Sequence, residues 1–416
     1  MKQIFTLLLS FFLISTYAQT CAGRYQTEIY NQVDVSTVDF GSAPNTLGDT
    51  VILKMDIYEA VGDTSTNRPV VIFCFGGSFW AGSRTENNLV SLATSFAKRG
   101  FLCASIDYRL AGSILELGTE ESMVKIVFNA VQDGKAAIRY FRKDFDEGNS
   151  LGIDPDNIFI GGTSAGGILA VNLAYVDSIG KLPSTWQEWS TEVGGLEGSS
   201  GNPGYCSYPN GVFGFAPAVG DTSFINANDV PFYSCHATGD QTVQYGFGTP
   251  LGGLAPVTLY GSGNIETRMA NLGIYHRVDT YTGGDHPPLN TQQRMDDTRD
   301  NLGEFLYNIL DCNVVNLKMS NQQSCADFYT TVGIRTVNED KDWSIYPNPT
   351  NSFLTISGTS DFESFKILDA MGRELMSSTL QNTNQITVDV QDFASGMYFV
   401  YVQSAGVWRS EKLLIK

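Results

Sequence analysis

The sequence has few histidines, little positive charge and no long apolar run beyond its N-terminus. It contains 3 His, and 26 Lys and Arg stand against 44 Asp and Glu, which gives a net charge of -18. Nucleic acid is therefore not an expected partner, because binding to a phosphate backbone requires clustered Lys and Arg. No later apolar run approaches the length of a transmembrane helix, so no stable membrane span is expected.

The N-terminal segment MKQIFTLLLSFFLISTYAQT has the pattern of a secretory signal peptide. Lys2 precedes an apolar run over residues 4–14, and small residues follow up to Ala18. Such a run is too short for a stable span and is typical of an export signal. We therefore predict a signal peptide over residues 1–18 and a secreted or cell-surface protein. Lipidation of Cys21 is a less favoured alternative.

Seven cysteines in an exported chain indicate disulfides, and the odd number leaves at least one thiol unpaired. Cys74 and Cys103 lie in strand-like runs and are predicted to be buried thiols. Cys312 and Cys325 flank a short polar segment and form the favoured bridge. No cysteine has the spacing of a zinc site, so we predict neither a metal nor a cofactor. Three further cysteines are left unassigned: Cys21, Cys206 and Cys235.

Strand-like and helical segments alternate from about residue 50 to residue 310. Continuous apolar runs such as PVVIFCF are typical of buried parallel strands, and helical stretches separate them. This alternation predicts an α/β fold over residues 19–315, with a mostly parallel sheet covered by helices on both faces. A Gly-, Ser- and Pro-rich insertion at residues 182–210 either contributes substrate contacts or is a surface excursion over packed Trp side chains.

The C-terminal part of the sequence has a different pattern. The sequence is polar from Ser320 to Asp342, and residues 316–343 are predicted to form a linker. Residues 344–416 contain short alternating runs separated by Gly, Asn and Asp, which predict a small all-β sandwich. This segment contains no convergent acid, base and nucleophile, so catalysis is not expected there.

A candidate nucleophile lies where the strand NIFIGG meets a helical stretch. The sequence GTSAG at residues 162–166 has the form G-x-S-x-G. Flanking glycines let a tight strand-to-helix turn close, and the positive end of the following helix dipole favours developing negative charge. We predict Ser164 as the nucleophile. A simple glycine turn is the alternative.

A serine nucleophile needs a base, and in this arrangement the order along the chain is Ser, acid, His. His286 follows the last strand of the α/β region and is the predicted base. His236 and His276 are predicted to be structural, with a place beside the site left open for His236.

The acid is expected on the loop after the strand that precedes the His-bearing loop. Asp240 follows the strand FYSCHA and is favoured, because an acid there can orient the imidazole. Asp221 follows an earlier strand, and Asp285 adjoins His286. Both are kept as alternatives.

The loop FCFGGSFWAG at residues 73–82 is the candidate oxyanion loop. Acyl transfer needs N–H donors aimed at the oxyanion, and we predict the amides of Gly77, Ser78 and Ala165. Phe75 stands where a His is expected, so we predict that packing of Phe75 and Phe79 holds the loop. The predicted substrate contacts are Trp80, Trp186 and Trp189.

Several motifs in one order resemble the α/β-hydrolase fold, in the carboxylesterase branch related to hormone-sensitive lipases and feruloyl-type esterases. They are DYRL at residues 107–110, DGKAAIRYFRKD at 133–144 and IDPDNIFIGGTSAGG at 153–167. The resemblance covers roughly residues 50–310. It implies ester hydrolysis with attack by Ser164, His286 as general base and then acid, and Asp240 orienting the histidine.

The C-terminal segment closely resembles the sorting domain of the type IX secretion system of Bacteroidetes. The matching features are YPNP at residues 346–349, DAMGREL at 369–375, GMY at 396–398 and the basic residue Lys416. The resemblance implies the type IX secretion machinery as a partner, with passage through the periplasm and across the outer membrane. A carbohydrate-binding or adhesive sandwich is the alternative.

The combined prediction is a secreted serine carboxylesterase that acts on a small or polymer-linked ester. A serine peptidase of the prolyl-oligopeptidase type is one alternative, although the chain has no propeller-sized N-terminal domain to select peptides. A non-catalytic hydrolase-like surface binding protein is another, although all three triad residues are present in the expected order. The acyl and alcohol parts of the substrate stay open at this point.

Overall fold

The computed structural model describes residues 21, 23–310, 325, 343–369, 373–404 and 407–416. The chain divides into two compact units, Met1–Gly333 and Ile334–Lys416. The predicted signal peptide lies outside the described residues, as does the predicted linker apart from Cys325 and Trp343. The exact domain limits stay predictions.

The first unit alternates strands and helices. Its described strands are β1 (Val33–Pro44), β2 (Thr50–Ala60), β3 (Arg68–Cys74), β4 (Leu102–Ile106), β5 (Ile153–Thr163), β6 (Gly211–Phe215), β7 (Ala218–Val219), β8 (Phe232–Ala237), β9 (Phe247–Gly248), β10 (Leu259–Gly261) and β11 (His276–Tyr281). Its described helices are α1 (Asn87–Lys98), α2 (Glu120–Asp146), α3 (Ala165–Tyr175), α4 (Ser184–Glu192), α5 (Pro250–Gly253), α6 (Ser262–Leu272) and α7 (Gln292–Ile309).

Eight strands form one sheet in the order β1-β2-β4-β3-β5-β6-β8-β11. From β4 to β11 every neighbouring pair is parallel, whereas β1 and β2 add antiparallel pairings at one edge. Every residue of β3, the strand of the apolar run PVVIFC, is buried. The predicted mostly parallel α/β sheet is confirmed. The edge strand β1 has no counterpart in the sequence prediction, because most of its side chains are exposed and its apolar pattern is weak.

Helices cover both faces of the sheet. Ile160 of β5 points towards Gly134 of α2, while its neighbour Phe159 points towards Gly211 and, beyond it, α7. Successive side chains of a strand face opposite sides, so α2 and α7 cover different faces. The parallel strands bring their carboxyl ends to one edge of the sheet, where loops from several strands meet.

The cysteine pairing differs from the prediction. Cys325 is bonded to Cys206, 119 residues away in the sequence, so the predicted Cys312–Cys325 bridge is wrong. Cys21 is also disulfide-bonded, which leaves it no thiol for lipidation. The predicted buried thiols Cys74 and Cys103 are confirmed. Cys235 is a third buried free thiol, and burial raises the pKa of all three.

The second unit is an antiparallel β domain, as the sequence predicts. Its described strands are β12 (Trp343–Tyr346), β13 (Phe353–Asp369), β14 (Glu374–Asp389), β15 (Gly396–Ser404) and β16 (Val407–Ile415). They pair in the order β12-β13-β15-β16, and β14 also pairs with β13. Alternate apolar side chains, among them Leu354, Ile356 and Val400, form a separate core. In the described parts of both units, no helix has the length and apolar character of a membrane span.

Candidate active site

Ser164 occupies a sharp turn between β5 and α3. Its backbone has φ 51° and ψ -114°, a region that residues with a Cβ rarely adopt. The Ser164 amide donates to the Phe215 carbonyl at 2.8 Å, and its own carbonyl accepts from the Ile168 amide at 2.9 Å. These bonds tie the turn to β6 and to the first turn of α3. The hydroxyl therefore stands at the carboxyl edge of the sheet, in the geometry of a nucleophile elbow.

The end of β3 lies so close to this turn that glycine is required on both sides of the serine. A Cβ at Gly162 would lie 1.9 Å from the Cys74 carbonyl oxygen, and a Cβ at Gly166 would lie 2.1 Å from the same atom. Real side chains do not tolerate such contacts. The two glycines of the motif thus let β3 approach the turn closely, which gives the G-x-S-x-G spacing a direct steric cause.

Ser164, His286 and Asp240 form one hydrogen-bonded line. His286 Nε2 lies 2.7 Å from Ser164 Oγ, and His286 Nδ1 lies 2.6 Å from Asp240 Oδ2. An ionised carboxylate can only accept, so Nδ1 carries the proton and Nε2 is free to accept from the serine hydroxyl. The three residues follow β5, β8 and β11, and they meet because these strands end at the same edge of the sheet.

Asp240 is held in its ionised form. Its Oδ1 accepts from the amides of Thr242 at 2.8 Å and Val243 at 3.1 Å. Burial opposes ionisation, but the hydrogen bonds with His236 and His286, the charge of His286 and the Val243 amide together hold the pKa of Asp240 well below its usual range. A permanent negative charge at Asp240 favours the imidazolium form of His286 during proton transfer.

The two alternative acids lie in other interactions. The Asp221 carboxylate accepts from the Ser223 amide at 2.7 Å and caps a short helical turn. Asp285 forms an ion pair with Arg294 at 2.6 Å. Neither carboxylate contacts His286 in the described structure, so the geometry brings Asp240 alone of the three to the histidine.

The other two histidines also have separate partners. His236 is fully buried, with Nε2 2.9 Å from the Val243 carbonyl and Nδ1 2.8 Å from Ser262 Oγ. Because a carbonyl only accepts, Nε2 carries the proton, and it also lies 3.4 Å from Asp240 Oδ2. The N–H group of His236 therefore lies next to the Asp240 carboxylate. His276 lies at the start of β11, where Nδ1 is 2.7 Å from the Ile274 carbonyl.

The candidate oxyanion loop has left-handed backbone at three consecutive residues. The φ angles are 120° at Gly77, 54° at Ser78 and 59° at Phe79. A Cβ at Gly77 would lie 2.0 Å from the Ala81 carbonyl oxygen, so glycine is required there. Within the part of the chain that the structure describes, the amides of Gly77 and Ser78 donate to no protein acceptor. Both residues line a cleft together with Ser164.

Packing and hydrogen bonds brace this loop where a histidine is absent. Phe75 and Phe79 are both buried against the ring of Tyr108. The Tyr108 hydroxyl donates to the Phe75 carbonyl at 2.8 Å, and the Gly76 amide donates to Glu86 at 3.1 Å. The packing role expected for the two phenylalanines is thus present, and Tyr108 of the DYRL motif supplies the surface for it.

Two cavities meet at Ser164. The first is apolar and opens to solvent. Its lining residues are Ser78, Phe79, Met123, Val124, Val127, Phe128, Val131, Ser164, Ala165, Ile168, Asn172, Val176, Leu182, Trp186, Gly220, Phe224, Thr242, Val243, Pro250, Leu251, Ala255, Val257 and Leu259. The second is an open cleft of small and polar residues. It is lined by Gly76, Gly77, Ser78, Gly82, Ser83, Thr85, Glu86, Thr163, Ser164, Thr242, His286 and Pro287.

Of the three tryptophans expected to contact substrate, the structure brings one to these cavities. Trp186 lines the apolar cavity. Trp189 is half-buried against the main hydrophobic core, as the packed-Trp alternative expects, and the Trp80 side chain is exposed. Neither of them lines the cavity or the cleft.

The sequence did not predict that α2 forms one wall of the apolar cavity. Met123, Val127 and Val131 line the apolar cavity and recur every four residues, so they share one face of the helix. That spacing is visible in the sequence, but it is the same spacing that a core-facing helix shows. In the described residues, no group of three or more His, Cys, Asp or Glu side chains is arranged to hold a metal ion.

Comparison with known proteins gives two family matches. Residues 55–194 match the BD-FAE family, and residues 344–416 match the secretion system C-terminal sorting domain. No curated protein sequence matches the chain significantly.

Similar solved structures include two forms of an esterase from Thermogutta terrifontis. The first is esterase 2 phosphorylated by paraoxon, with 22% identity and a TM-score of 0.47 over 66% of this chain and 94% of that chain. The second is the propionate-bound Est2, with 22% identity and a TM-score of 0.49 over the same shares of the two chains, 66% and 94%. On these matches the chain contains a BD-FAE domain over residues 55–194 and a secretion system C-terminal sorting domain over residues 344–416, so it is an esterase-like α/β hydrolase with a secretion tail.

Proposed function

We propose that the protein is a secreted serine carboxylesterase that hydrolyses carboxylic esters through an acyl-enzyme intermediate. The observation that carries the proposal is the line from Ser164 Oγ through His286 to Asp240, with contacts of 2.7 and 2.6 Å. A serine hydroxyl within hydrogen-bond reach of an oriented histidine is the arrangement that nucleophilic acyl transfer needs.

In the proposed mechanism His286 Nε2 takes the proton of Ser164 as Oγ attacks the ester carbonyl carbon. Asp240 stabilises the imidazolium that forms. The carbonyl oxygen becomes an oxyanion and accepts from the amides of Gly77, Ser78 and Ala165, and the first turn of α3 adds its free N–H groups and dipole. His286 then gives its proton to the departing alcohol. Water, activated by the same histidine, releases the acid from Ser164.

The sorting domain supports export as part of the proposal. We propose passage through the periplasm and then across the outer membrane by the type IX machinery, with the hydrolase acting at the cell surface or outside it. The hydrolase unit has its own hydrophobic core, separate from that of the sorting domain. Removal of residues 344–416 after export is therefore compatible with a folded enzyme.

The test is hydrolysis of p-nitrophenyl acetate and butyrate by the wild type, Ser164→Ala and Ser184→Ala. Ser184 is an exposed serine on α4 and serves as the matched control. We expect a p-nitrophenol burst from the wild type and the control, and a loss of about 10³-fold or more in Ser164→Ala. Absence of ester hydrolysis in the wild type would overturn the proposal. Cleavage of an aminoacyl-proline anilide without ester cleavage would instead favour a peptidase.

A further inference from the structure

We propose that the apolar cavity receives the acyl part of the substrate and that Trp186 closes its far end, which selects unbranched aliphatic acyl groups of medium length. The inference rests on the proposed esterase function and adds the substrate class to it. Three observations carry it: the position of His286 relative to the two cavities, the path of the cavity along α3, and the state of the polar groups at its far end.

The two cavities differ in their access to the histidine. His286 and Pro287 line the open cleft, whereas neither lines the apolar cavity. The departing alcohol must take its proton from His286 Nε2, so it has to lie on the cleft side of Ser164. The acyl group stays on the serine after the alcohol has left. It is therefore directed to the other side, where Ala165 and Ile168 begin the wall of the apolar cavity.

The apolar cavity follows one face of α3. Ala165, Ile168, Asn172 and Val176 line it at spacings of three and four residues, which place them on the same side of the helix. A helix rises about 1.5 Å per residue, so the path from Ser164 to the level of Asn172 is roughly 12 Å. The cavity is thus a channel rather than a shallow acetyl-sized pocket.

The far end of the channel is fixed by a chain of contacts at Trp186. Asn172 Oδ1 accepts from the Gly220 amide at 3.3 Å. Gly220 lies so close to the indole that a Cβ there would be 2.9 Å from Trp186 Cζ3. Trp186 Nε1 donates to Glu120 Oε1 at 2.8 Å, which joins the indole to the start of α2. The ring is therefore held in the wall of the channel at the level of Asn172.

The N–H donors at this end are already engaged. Asn172 Nδ2 donates to the carbonyls of Ile168 at 2.8 Å and Ala218 at 3.3 Å, and the Trp186 N–H is bonded to Glu120. The phenolic and methoxy oxygens of a feruloyl group placed there would find no free N–H donor among these side chains, which costs about tenfold in kcat/KM. Hydroxycinnamoyl groups are thus disfavoured and plain alkyl chains are favoured.

The channel length sets the preferred chain. An extended alkyl chain with bonds of about 1.5 Å advances roughly 1.3 Å per carbon. A path of about 12 Å therefore holds roughly eight or nine carbons. Each methylene that is buried against the apolar wall improves transition-state binding by about fourfold until the chain reaches Trp186. Longer chains meet the indole and gain nothing more.

The experiment measures kcat/KM for p-nitrophenyl esters from acetate to myristate and for p-nitrophenyl ferulate. The wild type is expected to rise from acetate to octanoate, fall beyond decanoate and turn over ferulate poorly. In Trp186→Ala the optimum should move to chains at least two carbons longer, and in Ile168→Phe, one helical turn from Ser164, to shorter ones. Trp189→Ala, on the same helix as Trp186 but outside the channel, should keep the wild-type profile.

A wild type that prefers acetate or ferulate, or a Trp186→Ala profile that matches the wild type, would overturn the inference while leaving the esterase function intact. A binding measurement tests the acyl channel even if the proposed esterase function is wrong. In Ser164→Ala, octanoate should raise the Tm and acetate should not, whether or not the wild type cleaves esters. Equal effects of the two acids would reject the channel independently of catalysis.

Discussion

The ring of Phe75 is stacked on the ring of Tyr108, with centroids 4.2 Å apart and planes inclined by 15°. The Tyr108 hydroxyl also donates to the Phe75 carbonyl at 2.8 Å. Phe75 stands where esterases of this kind are expected to have a histidine, so an aromatic stack takes over the bracing of the candidate oxyanion loop. The same tyrosine meets Phe79, whose ring centroid lies 6.0 Å away at a steep angle.

Removing this brace should affect turnover more than substrate binding. Tyr108→Phe keeps the stack and loses the hydrogen bond, so we expect a fall in kcat of a few fold. Tyr108→Leu loses both, and we expect a fall of about tenfold or more, because misaligned donors stabilise the oxyanion less. KM for p-nitrophenyl butyrate should change little in either variant. A rise in KM with unchanged kcat would contradict the proposed role of the loop.

The two motif glycines should not tolerate a methyl group. In Gly166→Ala the new Cβ would lie 2.1 Å from the Cys74 carbonyl oxygen, so β3 and the Ser164 turn would have to separate. We expect a large fall in Tm and loss of esterase activity. Gly118→Ala is the matched control, because nothing lies within 4 Å of its Cβ and its φ is not positive. If both variants keep the wild-type Tm and activity, the steric explanation of the motif fails.

The two histidines near Asp240 should have unequal effects. His286→Ala removes the candidate base and should abolish turnover. His236→Ala removes a buried group whose Nε2 is bonded to the Val243 carbonyl and lies 3.4 Å from Asp240 Oδ2, so we expect only a partial loss, of about tenfold. His236→Gln, which can keep an N–H donor, should recover part of it. Equal loss in His286→Ala and His236→Ala, measured as kcat/KM, would undo the assignment of the base.

Asp229 should make the hydrolase less stable as the pH rises. Burial raises its pKa to about 6, although its Oδ2 accepts from the Asn226 amide at 2.7 Å. The unfolded chain, with a pKa of about 3.9, loses this proton first, so the free energy of unfolding falls between about pH 4 and pH 6. The loss is up to about 2–3 kcal/mol and persists at higher pH.

Asp229→Asn removes that titration. Relative to the wild type, the variant should gain stability from about pH 4 to about pH 6 and then level off, as measured by urea unfolding of the full chain at each pH. A stability difference between variant and wild type that does not change with pH would contradict the assignment of a buried, protonatable carboxyl.

The local features of this protein could be predicted from the sequence. The alternation of apolar runs predicts the parallel sheet, and the G-x-S-x-G junction predicts the turn at Ser164. The glycines of FCFGGSFWAG predict a tight loop. These features depend on periodicity and turn chemistry within a few residues, and such signals survive in the order of the amino acids.

Contacts between distant segments were decided by the tertiary structure. Asp221 and Asp240 both follow strands, and the sheet order with the loop after β8 brings Asp240 to His286. Cys206 reaches Cys325 across 119 residues, and of the three tryptophans only Trp186 reaches a cavity at Ser164. The apolar stripe of α2 could equally have faced the core. Strand order and close packing decide which side chains meet. Both depend on contacts between residues that are far apart in the sequence, so local sequence patterns do not reveal them.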